Sequence, residues 1–217
     1  HERKRTVPVD QEIRVVTIKN KQQEPIVTLV HYACHPVISG PKNMKITAEI
    51  PGVICSYVEK ELGGECLFMQ GACGEINPYL AAFLGADEDA YETLVQEAQK
   101  AGREAVEAAR KAEPVPLKDT SIQFQDKQVT FGLRHPIDDE RIQDLLNSFL
   151  SDYEKKDLAE DPTFQAPVSL LLLGNTIAWA GFPGEFFDDF QVELLERSPL
   201  DTTYFVGFGN GYYSYFP

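Results

Sequence analysis

Residues 25–36 read Pro25-Ile26-Val27-Thr28-Leu29-Val30-His31-Tyr32-Ala33-Cys34-His35-Pro36, and this stretch decides the fold class. From Pro25 to Ala33 it is a near-continuous apolar run, the pattern of a buried strand. Upstream, residues 12–19 alternate Ile13, Val15 and Thr17 against Arg14, Val16 and Ile18, and the polar turn Asn20-Lys21-Gln22-Gln23 separates the two segments. The pair therefore reads as a hairpin. Downstream, residues 47–62 place Ile50, Val53, Ile54, Tyr57, Val58 and Leu62 at helical spacing and stop at Gly63-Gly64. Residues 65–70 read as a short strand and 71–79 as a tight loop. Further on, residues 87–112 predict a long amphipathic helix that ends before Pro114 and Pro116. Residues 119–134 suggest two strands, 138–153 another helix and 154–162 an exposed loop. A hairpin of 168–173 and 176–182 turns at Gly174-Asn175, followed by a helix over 186–197 and a last strand over 202–208. Strands alternate with helices but also occur in adjacent pairs. The expectation is an α/β fold, a mixed β-sheet flanked by helices.

The 217 residues suit one domain or the greater part of a larger one. A content of 43% apolar and 25% charged residues excludes disorder for most of the chain. No run of about 18 apolar residues occurs, so no bilayer-spanning helix is expected. With 20 Lys+Arg against 34 Asp+Glu the formal charge is −14, which argues against a nucleic-acid backbone as partner. The first residue is His1, and the end from Gly209 to Pro217 is aromatic and glycine-rich, so the chain reads as a piece of something longer. Cys34, Cys55, Cys66 and Cys73 form no C-x-x-C pair, which argues against a zinc knuckle. Their even count permits disulfides, although small buried thiols are the simpler reading.

Four places carry candidate chemistry. His35 follows a strand and precedes a proline, at the strand end where α/β sheets keep their sites; His31 lies inside the strand and reads as a buried, hydrogen-bonded histidine. The loop Gly71-Ala72-Cys73-Gly74-Glu75-Ile76-Asn77-Pro78 is either a plain strand-to-helix turn or a cradle of N–H groups. Glu185, in Phe182-Pro183-Gly184-Glu185-Phe186, either complements a helix dipole or is left free for chemistry because Asp188 and Asp189 can do so. Asn210-Gly211-Tyr212-Tyr213-Ser214-Tyr215 clusters phenols, which more often pack than ligate.

Taken together with Thr47-Ala48-Glu49-Ile50-Pro51-Gly52, these motifs resemble, in order and spacing across nearly the whole chain, the neutral/alkaline non-lysosomal ceramidase family. The resemblance implies a single ceramidase-like catalytic domain over 1–217, partial and truncated at both ends. It also implies zinc-dependent hydrolysis of an N-acyl amide, a ceramide-like lipid or a related substrate, by zinc-activated water. It assigns His35, Glu185 and Tyr215 as zinc ligands, with Tyr212 or Tyr213 as the fallback phenol and one further histidine upstream of this chain. Tyr215, Asn77, Glu75 and Gly74 fall at catalytic positions, with loop N–H groups from Gly71 to Glu75 as oxyanion donors. At the family's serine this sequence has Asn77, which cannot be a nucleophile. That replacement leaves open a catalytically silent binding module, or a hydrolase of another amide or of an ester. A secreted or periplasmic location follows from the resemblance alone. A further reading takes Cys34 or Cys73 as a nucleophile beside His35, with loop N–H groups lowering the thiol's pKa.

Overall fold

The computed structural model describes residues 9–40, 43–78, 88–140, 143–144, 147 and 152–217. The buried strand expected at 25–33 is β2 (Pro25–Tyr32), and it organises a three-stranded mixed sheet. Strand β1 (Arg14–Lys19) pairs with it antiparallel, Val15 opposite Val30. Strand β3 (Glu65–Gln70) pairs with it parallel, Val30 opposite Phe68. A parallel neighbour needs a crossover, and α1 (Glu49–Leu62) supplies it, stopping at Gly63 with φ 76°. That backbone conformation is nearly free for glycine and strained for other residues.

Helix α1 turns the stripe Ile50, Ile54 and Val58 inward, onto Val30 of β2 and onto Leu94, Ala98, Ala105 and Val106 of α2 (Glu88–Lys111). Ile54, Val30 and Leu94 are fully buried, and burying each such side chain stabilises by about 1.5–3 kcal/mol.

The second sheet is also mixed. Its order is β4 (Ile122–Gly132), β5 (Thr163–Leu173), β6 (Ile177–Gly181), β8 (Thr202–Val206), antiparallel except for the parallel β6–β8 pair. The crossover between β6 and β8 contains β7 (Glu185–Phe186) and α4 (Asp188–Arg197). A third, two-stranded sheet pairs β7 parallel with β9 (Tyr215–Phe216). The two larger sheets meet where Gly207 N–H donates to Gln70 O at 2.9 Å. His31 bridges the same seam, its Nε2 lying 2.7 Å from Phe205 O. A carbonyl oxygen only accepts, so Nε2 carries the proton. Burial pushes the His31 pKa down to about 4, and the imidazole stays neutral at ordinary pH. It is the buried, hydrogen-bonded histidine the sequence suggests.

The α/β character and mixed pairing are as expected, with the strands divided among three sheets. Three local expectations change. Residues 119–134 form one long strand, because β4 is an edge strand and its exposed Asp126, Lys127 and Gln128 remain solvated while laddering against β5. The loop expected at 154–162 is instead helix α3 (Asp152–Glu160), a polar helix with no apolar stripe to announce it. The start of the helix expected at 186–197 is taken by Phe186, which belongs to β7. Of the helix expected at 138–153, residues 143, 144, 147, 152 and 153 are helical, and most of the remainder lies outside the described residues.

Candidate metal centre

His35 stands just past the end of β2, and three bonds hold its turn. Its own N–H donates to Ile76 O at 2.9 Å. The N–H groups of Ile38 and Ser39 donate to the carboxylate of Glu49, at 3.2 and 2.6 Å. Glu49 adopts φ 50° at the first position of α1, and Thr47 Oγ1 accepts its N–H at 3.1 Å. A left-handed non-glycine residue costs free energy, which the two charge-assisted bonds offset. The Thr47-Ala48-Glu49 stretch is thus a tether for the histidine turn.

Glu185 and Tyr215 are register partners in the β7–β9 pair, so both side chains leave the same face of that ribbon. On the opposite face Phe186 and Phe216 stack with centroids 4.1 Å apart and planes at 6°, fixing the two strands against the aromatic cluster of Phe131, Phe182 and Phe205. Glu185 N–H donates to Ser214 O at 2.9 Å and Phe187 N–H to Phe216 O at 3.0 Å. The segment delivering the tyrosines bends through positive φ at Phe208, Asn210 and Ser214, and Asn210 Nδ2 anchors it to Ser169 Oγ at 2.8 Å. Three such residues within one short segment store strain of the kind that gathers at functional sites.

Tyr212 hydroxyl donates to Glu185 Oε1 at 2.6 Å, and Tyr215 hydrogen-bonds the same side chain. Hydrogen bonding to the carboxylate pushes both phenols up to about 12. Tyr213 turns away and stacks on Phe164 at 5.4 Å.

These elements bring His35 and Glu185 face to face. His35 Nε2 and Glu185 Oε2 lie 3.2 Å apart, and both atoms are buried. That separation suits a hydrogen bond, but the angles do not, and neither atom has any hydrogen-bonding partner. Two buried polar atoms left unsatisfied side by side are costly. The Tyr215 ring closes one side, 6.2 Å from the imidazole. Imidazole nitrogen and carboxylate oxygen are donors that a zinc ion accepts, and the phenols of Tyr212 and Tyr215 lie beside that carboxylate. Among the described residues no group of three His, Cys, Asp or Glu is arranged to hold a metal ion, so the third donor from this chain would be a phenol.

Several N–H groups of the 71–78 loop have partners within the protein. Gly74 N–H donates to Phe186 O at 2.9 Å, and a Cβ at Gly74 would fall 2.7 Å from Glu185 O. Only glycine permits this approach, and the N–H expected as an oxyanion donor is bonded here to the Phe186 carbonyl. Gly71 and Ala72 N–H groups are committed likewise, to Tyr32 O and Gln191 Oε1, both at 3.0 Å. The Glu75 carboxylate, expected at a catalytic position, accepts the Asp188 N–H at the start of α4, at 3.2 and 3.1 Å. Asn77 is exposed, one residue past the carbonyl that holds His35.

Cys73, fully buried, places Sγ 3.6 Å from His35 Nδ1. The thiol-nucleophile reading fails on charge. Burial, reinforced by Glu185, pushes Cys73 up to about 12, and burial pushes Cys34 up to about 11. Neither forms appreciable thiolate near neutral pH. Sequence reasoning missed the tethering role of Glu49, and it placed Cys73 beside His35 only as a candidate nucleophile.

No family model matches the sequence, and no curated protein matches it. Solved structures share the fold, among them two ceramidases. The neutral ceramidase from Pseudomonas aeruginosa superposes with a TM-score of 0.69 at 15% identity, covering 96% of this chain and 41% of that one. A ceramidase complexed with C2 superposes at 0.71 with 14% identity, covering 96% and 42%. The fold is thus that of the ceramidase structures named by the sequence resemblance, and the chain spans about two fifths of their length. No helix among the described residues is long and apolar enough to cross a membrane.

Proposed function

We propose that this chain contributes three ligands of a zinc-dependent hydrolase acting on N-acyl amides, ceramide-like lipids foremost. The observation that carries the reading is the unsatisfied pair His35 Nε2 and Glu185 Oε2, 3.2 Å apart and flanked by two phenols. Ceramidase structures with the same fold support it. His35, Glu185 and Tyr215 would hold the ion together with one histidine from outside these residues. A bound zinc ion supplies Lewis acidity toward the amide carbonyl and toward water.

The chain's own groups do the rest. Tyr212 donates to Glu185 Oε1 and fixes the carboxylate rotamer. Cys73 occupies the Nδ1 side of His35 and leaves Nε2 aimed at Glu185. Asn77 cannot form an acyl ester, so the nucleophile is water and the Asn77 amide donates to the substrate carbonyl. Residues 1–217 form part of one larger catalytic domain under this reading, with a secreted or periplasmic site of action.

The test is turnover of a panel of N-acyl sphingoid bases and simple N-acyl amides by the intact protein. Hydrolysis abolished by Glu185→Gln is the expected result. Undiminished hydrolysis by that variant overturns the assignment. The exposed Asn77 favours a second reading, a relative that binds such amides without cleaving them; full zinc occupancy with no turnover on amides or esters would select it.

A further inference from the structure

Away from the metal centre, two thiols meet. Cys55 lies on α1 and Cys66 is the second residue of β3. Glu59, one helical turn beyond Cys55 and on the same face, accepts the Cys66 N–H at 3.0 Å and holds the start of β3 against that face. Both cysteines belong to the cluster formed by Ile54, Val58 and Val30. Cys66 is buried and Cys55 partly exposed, and both side chains pack into this one cluster on the α1 face that Glu59 shares.

We propose that Cys55 and Cys66 form a reversible disulfide that joins α1 to β3, independently of the hydrolase reading. The staple sits behind the site's two supports. Helix α1 opens with Glu49, the tether of the His35 turn, and β3 runs directly into the 71–78 loop.

The order of events follows from exposure and charge. Hydrogen bonding from Cys66 lowers the Cys55 pKa, and the same contact, with burial, raises that of Cys66. Cys55 is therefore the attacking thiolate. It displaces one thiolate from a low-molecular-weight disulfide such as oxidised glutathione, forming a mixed disulfide. Cys66 then gives up its proton and attacks the Cys55 sulfur, expelling the second thiolate. Two protein thiols become one disulfide, one glutathione disulfide becomes two thiols, and the two protons end on the two glutathiones.

The experiment treats the intact native protein with oxidised glutathione, alkylates the remaining thiols and maps the peptides without reduction. Lys60 lies between the two cysteines, so trypsin separates them unless they are bonded. The expected result is a peptide pair joined through Cys55 and Cys66 that dithiothreitol splits. Cys66→Ser should then retain glutathione on Cys55, and Cys55→Ser should leave Cys66 a free thiol. Wild-type protein with both thiols alkylated, with glutathione stranded on Cys55, or with the bond made through Cys34 or Cys73 overturns the proposal.

Discussion

The two halves of the molecule are stabilised differently. The β1–β2–β3 half with α1 and α2 is aliphatic and periodic, and its core residues recur at helical or strand spacing within long elements. The half that delivers Glu185 and Tyr215 is aromatic and irregular. It rests on two strands of two residues each, on the Phe186–Phe216 stack, and on a segment with three left-handed non-glycine residues. His35 comes from the first half, and Glu185 and Tyr215 come from the second. The proposed centre therefore lies at a seam, where a regular scaffold fixes the imidazole and a strained one presents the carboxylate and the phenol.

If that division is right, substitutions should separate cleanly. The largest effect falls on activity: Glu185→Ala should cost more than the 10–100-fold typical of losing a partner behind a ligand, with little change in the urea midpoint. Ile54→Ala should do the reverse, lowering stability by about 2–5 kcal/mol through a cavity in the aliphatic half, while enzyme that remains folded keeps its kcat. Comparable loss of activity in folded Ile54→Ala would break the division.

The seam itself has a pH signature. His31 is neutral in the folded protein down to about 4 and titrates near 6.5 when unfolded. Between those values the unfolded chain binds more protons, so stability is complete above about 6.5 and falls as the pH drops toward 4, by about 3 kcal/mol in all. Urea midpoints measured across that range should decline, and His31→Asn should flatten the decline.

The smallest effect sharpens the comparison within the tyrosine segment. Tyr212→Phe removes a donor to Glu185 and should weaken activity about tenfold. Tyr213→Phe, whose ring only stacks on Phe164, should change neither activity nor stability by more than about 0.5 kcal/mol. Equal losses in the two variants would mean that the segment acts as a unit.

The same division explains what the sequence could reveal. In α1, α2, β2 and β3 apolar period and burial coincide, so these elements are legible to within a residue or two. Strands β7 and β9 are too short for any period and exist because Phe186 and Phe216 stack. Helix α3 has no apolar stripe, and the polar middle of β4 mimics a turn because an edge strand tolerates charge. His35 and Glu185 stood out as candidates from a strand end and a helix start, and Tyr215 joined them as a proposed ligand through motif order. The partners of Gly74 and Glu75 were not legible, because Phe186 and Asp188 lie more than a hundred residues away in sequence.

The most direct test of the metal centre is the zinc content of the intact protein, wild type beside His35→Ala and Glu185→Ala. The account predicts about one zinc per wild-type chain and far less in either variant. Zinc retained at wild-type stoichiometry in both variants, or absent from the intact wild-type protein, would contradict it.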